Sequence, residues 1–184
     1  MSAAFIDRRV LLLGAMAALS GCAAAPRAPA SRSSRATGAP PQGSALSYED
    51  ALMRETNAAR ARQGVGSLRW DPRLAQAAAN HSRDMLRRGY FEHLSPEGTT
   101  PLQRVGGFEA GYSRIAENLW KGEGPVDWRP EPLSRMIVQM WIDSPGHRRN
   151  LFDPALTRAG LAVARREREG VATMVFGIGQ NDAA

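Results

Sequence analysis

The chain has 184 residues and a formal net charge of +6, a length that supports one folded domain and not comfortably two. Residues 1–45 hold five arginines and one aspartate, so only about +2 of that charge belongs to the rest. The basic stripe with aromatic platforms that a nucleic-acid reader needs is missing, and the single cysteine, Cys22, excludes both an intrachain disulfide framework and a thiolate zinc centre.

Arg8 and Arg9 form a short positive segment, and Val10 to Leu19 is an uncharged, mostly apolar run of ten residues. A permanent bilayer span takes about 20 apolar residues, so the run reads as the apolar part of an export leader, residues 1–21. Arg8-Arg9 faintly resembles a twin-arginine export signal, although a general leader needs only positive charge. Leu19-Ser20-Gly21-Cys22 resembles the bacterial lipobox. That resemblance implies cleavage before Cys22, a diacylglycerol thioether on its sulfur and usually a fatty acid on its new amino group. Acyl chains buried at roughly 0.8 kcal/mol per methylene then tether the protein to a membrane. The bland alternative is a plain secretory leader that contains a cysteine. Ala23 is not the aspartate that retains some lipoproteins in an inner membrane, so the expected anchor is the outer membrane, facing the periplasm.

Residues 22–45 are rich in Pro, Ala, Ser, Gly and Arg and have almost no large apolar side chains. Such a stretch cannot bury a core and reads as a disordered stalk. A leaflet with anionic lipids would attract its Arg27, Arg32 and Arg35.

The folded domain is expected over 46–184. Ser47 with Asp50 gives a helix start and Gly64 a stop, predicting a helix over Tyr48 to Gln63. Asp71-Pro72 opens a second helix that Gly89 stops after Arg88. Its apolar face carries Leu74, Ala78, His81 and Met85, which makes His81 a core histidine. Thr100-Pro101 opens a short turn of helix to about Val105. Gly106 to Trp128 has five glycines and no period, so it reads as loop. Glu131-Pro132 opens a helix with the stripe Leu133, Met136, Ile137, Met140, Trp141, ending near Ser144. Ser144 then caps a short helix with Pro145 at its first position. Ala159 to Ala164 and Val171 to Ile178 read as a hairpin joined by a charged turn that ends in Gly170. Helices first and strands late argue for an α+β domain.

HExxH, GxSxG, phosphate-loop and dinucleotide motifs are all missing. What remains is a set of short blocks: Asn80-His81-Ser82-Arg83-Asp84-Met85, Gly89-Tyr90-Phe91-Glu92-His93, Ser95-Pro96-Glu97-Gly98 with Arg104, Ala116-Glu117-Asn118-Leu119, and Trp141 to Leu151 containing Ser144-Pro145-Gly146-His147. In this order they resemble the bacterial branch of the CAP superfamily, also called SCP-like, over about Leu46 to Gln180. The resemblance implies an α-β-α sandwich with a small, mainly antiparallel sheet between helical layers. It also implies a surface cavity that gathers two histidines and two acids and in many members holds a divalent metal. By motif these fall on His93, Glu117 and His147. Animal and plant members place a glutamate three residues after the tryptophan matching Trp141. Here that residue is Ser144, with Asp143 beside it, so the chain departs from the family at the fourth position.

Two neutral imidazoles and one carboxylate suffice for Zn²⁺ with an open coordination position. His147 falls at the third residue of a short helix, whose positive end disfavours imidazolium. Glu117 could bind a metal directly or orient a histidine. The same three residues could equally be a hydrogen-bonded cluster that ties loops to the core. Trp120 and Trp128 flank a glycine-rich loop and read either as cleft lining or as local packing. The expected function is a non-enzymatic, envelope-anchored binding module for a lipid, a cell-wall or glycan fragment, or a partner protein. The alternatives are a metal-assisted hydrolase and a structural envelope adaptor.

Overall fold

The computed structural model describes residues 46–179 and Asp182. The expected leader 1–21, the linker 22–45 and Cys22 lie outside the described residues. Helix α1, Tyr48–Arg62, begins where Ser47 Oγ accepts the Asp50 N–H at 3.0 Å. A two-residue strand β1, Arg69–Trp70, leads into helix α2, Pro72–Arg88. Asp71 caps α2 by accepting the N–H groups of Arg73 and Leu74, with Pro72 at the first position. Gly89 ends it with φ +72°, a left-handed conformation that favours glycine, and returns its N–H to Met85 O. Helix α3, Pro101–Arg104, carries a full capping box between Thr100 and Gln103.

Strand β2, Tyr112–Glu123, follows a 3₁₀ turn at Phe108–Ala110. Helices α4, Pro130–Asp143, and α5, Pro145–Phe152, precede the hairpin β3, Arg158–Arg166, and β4, Glu169–Gly179. The sheet order is β1-β3-β4-β2, with β1 parallel to β3 and the other pairs antiparallel. On one face Leu52, Ile137, Trp141 and Leu151 from α1, α4 and α5 pack on Leu161, Met174 and Phe176. On the other, Leu74 and Ala78 of α2 pack on Ala162 and Val175. The fold is therefore an α-β-α sandwich, as expected, and no helix among the described residues is long and apolar enough to cross a membrane.

Four sequence expectations change. The region read as loop contains the 12-residue strand β2. Its centre, Glu117 to Trp120, is buried on both faces and includes two polar residues, so it shows neither alternation nor a clean apolar run. Ser144 occupies the first flanking position of α5, but its side chain makes no capping hydrogen bond. Met140 of the α4 stripe is exposed at 49%, its sulfur accepting from the Trp120 indole N–H at 3.3 Å. Gly170 lies inside β4, against the Trp128 ring, and it is Glu167 that turns the hairpin with φ +52°.

Helix α2 lies directly on β3 at Gly160, where an added Cβ would stand 1.9 Å from the Ala75 backbone nitrogen. Because backbone, not a movable side chain, occupies the space, Gly160→Ala is expected to lower stability by about 1–3 kcal/mol. Urea unfolding measures it, and an unchanged midpoint would mean that α2 is free to slide.

Candidate functional site

Consecutive residues on β2 build the site from opposite faces of the sheet. Glu117 pairs with Val175 and shares its face with α2, whereas Asn118 pairs with Met174 and faces α4 and α5. The Glu117 side chain is only 1% exposed. Its Oε1 accepts from His93 Nδ1 at 2.9 Å and its Oε2 from Arg104 Nη2 at 2.7 Å. Arg104 also donates from Nη1 to the carbonyls of His93 and Thr99, both at 2.9 Å, and so ties the 90–100 loop to the sheet. Its Nε is buried with no hydrogen-bond partner among the described residues.

His93 is positioned from below by His81. The buried His81 ring donates from Nε2 to Glu92 O at 2.9 Å, which requires the Nε2–H tautomer when neutral. Its Nδ1 lies 3.5 Å from the Tyr90 hydroxyl, which itself donates to Asp84 Oδ2 at 2.8 Å. Burial, then the neighbouring Asp84 carboxylate, pushes the Tyr90 phenol up to about 12. His81 lies in the core, as its place on the apolar face of α2 predicts, and it also lies 4.0 Å from Glu117.

The second arm runs through Asn118. Its Nδ2 donates to His147 O at 3.0 Å, while Asn150 Nδ2 donates to Asn118 Oδ1 at 3.0 Å and to Glu117 O at 3.3 Å. Burial first, then the charge of His93, lowers the His147 imidazole below its ordinary range. The structure thus joins His93 to Glu117 directly and holds His147 by its backbone. Asp143 is exposed and accepts from Gln139 Nε2 at 2.8 Å, and among the described residues neither it nor Ser144 bonds to that cluster. Sequence reasoning assigned no role to Arg104, although it stood in a quoted block. A cation thirteen residues before a glutamate gives no sign of contact until β2 is placed.

A direct metal-binding role for Glu117 does not fit this geometry. Both of its oxygens are taken, one by a guanidinium, and among the described residues no group of three or more His, Cys, Asp or Glu side chains is disposed to hold a metal. The Glu117 carboxylate instead fixes His93 with Nδ1–H inward and Nε2 outward, on a side chain 51% exposed. A cleft of about 600 Å³ is lined by residues that include His81, Asp84, Arg87, Tyr90, Glu97 and Arg104; it joins the cluster through His81 and Arg104, and His93, Glu117 and His147 are not among the residues that line it.

Burial, the largest cause, lowers the His81 imidazole as well. A histidine whose folded value is depressed binds protons more readily when unfolded. Its stabilising contribution is full above about pH 6.5 and is lost as pH falls through that value toward the folded one. His81 and His147 act in the same direction, so stability should drop as pH falls below about 6.5. Urea titrations of wild type and His81→Gln test this, and an equal acid loss in both would remove His81 from the account.

Trp120 and Trp128 resolve as packing. Trp120 is buried beneath Met140 and meets Trp128 edge-on at 6.1 Å, and Arg165 stacks on Trp128 at 4.3 Å.

An α-β-α sandwich with a histidine and a buried carboxylate at one edge of its sheet defines the class. The chain belongs to the CAP family, since residues 53–176 match the model described as the cysteine-rich secretory protein family. It is 34% identical over 137 residues to YkwD of Bacillus subtilis, covering 74% of this chain and 50% of YkwD. The chain therefore spans about half the length of that relative. An extracellular protein containing an SCP domain from Bacillus anthracis is 28% identical with a TM-score of 0.52, over 70% of this chain and 40% of that one. An outer surface protein of Borrelia burgdorferi shares the fold, with a TM-score of 0.61 at 20% identity, over 70% of this chain and 90% of that one.

Proposed function

We propose that the protein is an exported, envelope-anchored CAP module that binds a ligand without transforming it. The ligand is a lipid, a cell-wall or glycan fragment, or a segment of a partner protein, held in the cleft that His81 and Arg104 line. The observation that carries this reading is the closed pairing of Glu117. A buried carboxylate satisfied on both oxygens by His93 and Arg104 is built to hold the 90–100 loop and α3 in place. Export is supported by the apolar run Val10 to Leu19 and by the Bacillus anthracis relative, which is named an extracellular protein. Tethering through lipid on Cys22, with the outer membrane as the surface, rests on Leu19-Ser20-Gly21-Cys22 and on Ala23.

Native mass spectrometry of the full-length protein, extracted from membranes in mild detergent, tests the binding role. The expected spectrum shows a small-molecule adduct that survives a chelator. A stoichiometric metal lost to the chelator would point to the hydrolase, and a bare domain to an adaptor. Peptide mass spectrometry tests the anchor separately. The expected N-terminal peptide begins at Cys22 and carries a diacylglycerol, and an unmodified Cys22 would sink the assignment.

A further inference from the structure

Strand β3 is paired along its length with β4, but on its other side it meets β1 at only two positions, Arg69 with Arg158 and Trp70 with Ala159. From Gly160 to Arg166 no strand among the described residues pairs with that side. The Asp71 N–H donates to Ala159 O at 2.8 Å on this edge, so by alternation Leu161, Val163 and Arg165 turn their backbone groups the same way. Among the described residues Val163 N–H reaches only Glu49 Oε1, at a long 3.4 Å. A carboxylate set against an edge N–H is one way in which an open strand is blunted.

Two adjoining cavities of about 550 and 270 Å³ run along this edge and share Glu49, Ala79 and Ala162. The floor of the larger is apolar, with Leu86, Val163 and Ala164 beside the shared alanines. Its walls are Arg83, Arg87, Arg165 and Arg166, and among the described residues Glu49 is the one acid that lines it. Arg87 and Arg166 have acidic partners in Asp84 and Glu169. Among the described residues Arg83 and Arg165 have none. Arg83 donates to Asn80 Oδ1 at 2.7 Å, and Arg165 donates to the Tyr48 hydroxyl at 3.0 Å. A cationic rim thus stands over an apolar floor, beside backbone groups that lack a strand.

We propose that this edge of β3 captures an extended, acidic peptide segment of a partner protein by strand addition. The incoming main chain pairs with Leu161, Val163 and Arg165, and its carbonyl takes the place of the Glu49 carboxylate on Val163 N–H. Alternate apolar side chains enter the groove on the α2 side, the acidic ones between them point to the α1 side toward Arg165, and Arg83 adds positive charge at the rim. The open edge from Leu161 to Arg166 is roughly 20 Å long at about 3.3 Å per residue, enough for a short linear segment. Charge argues against residues 22–45 of this chain as the occupant, because they contain three arginines and no acid.

Fluorescence anisotropy with the full-length protein in detergent micelles tests the proposal with three short capped peptides. One alternates Glu and Val, one alternates Lys and Val, and one is the Glu/Val peptide N-methylated on alternate residues. The Glu/Val peptide is expected to bind, more weakly as salt rises. N-methylation on the pairing side should abolish binding, and Arg83→Glu with Arg165→Glu should weaken it at least about tenfold. Amide exchange at Leu161 and Val163 should slow when the peptide is added. Failure of the Glu/Val peptide to bind, or equal binding by either control peptide, overturns the proposal. Leu161 and Val163 amides already protected without peptide also overturn it. Concentration-dependent protection would assign the edge to a second copy, and concentration-independent protection to the chain's own N-terminal segment. The peptide series needs no variant, so it decides even if the charge reversals fail to fold.

Discussion

Glu117→Ala is expected to destabilise the domain by about 3–5 kcal/mol, because it leaves the Arg104 guanidinium, 10% exposed, without its counter-charge. It also frees His93 Nδ1 and loosens the 90–100 loop, which Arg104 holds at the His93 and Thr99 carbonyls. Two readouts separate stability from site order. Urea unfolding reports the first, and proton exchange at His93 by NMR the second. Glu117→Gln should keep part of the loop order while losing the ion pair. A loss of under about 1 kcal/mol for the alanine variant, the range of exposed pairs, would show that the pairing is a surface contact rather than the anchor of the site.

Arg60→Ala carries the other large effect, on the order of 4 kcal/mol. Arg60 is 1% exposed, and its guanidinium donates to Gly66 O at 2.7 Å, Leu151 O at 2.7 Å, Asp153 O at 3.2 Å and Leu156 O at 3.0 Å. Each buried carbonyl left unpaired costs about 1–3 kcal/mol before relaxation, and the stem leaves a void as well. Burial, partly offset by Asp153, lowers its pKa, yet an arginine stays charged throughout the working range. Arg60→Lys should recover only part of the loss, since one ammonium cannot span carbonyls on both sides of the α5–β3 connection. Thermal unfolding of the two variants measures the difference. Equal melting points for lysine and wild type would mean that charge alone, rather than the planar fork, secures α1 to α5.

Elements with local signals were readable from the chain. Asp71, Pro72 and Gly89 mark both ends of α2, and Ser47 marks the start of α1, because caps act over three or four residues. β2 was not readable, since its burial on two faces depends on β4 and α5 arriving from elsewhere in the chain. The site divided in the same way. His93, Glu117 and His147 were found by resemblance, each within a block. The clasp of Arg104 and the seat provided by His81 are contacts between elements, and no spacing rule announces them. Even the helix-end argument for His147 gave the right direction for an incomplete reason, since burial and His93 are what lower its ring.

Glu117 and Asn118 are neighbours in sequence that reach opposite sides of a thin wall. The dipeptide works as a parity element. A single-residue deletion before it would trade the sides, sending a carboxyl group toward α4 and α5 and an amide toward Arg104. Shortening or lengthening β2 by two residues would preserve the sides and merely move the site along the strand. Tolerance to indels in this segment should therefore follow an odd–even rule, while the loop that carries His93 is free to vary in length so long as it returns to that pair, as α5 does with His147.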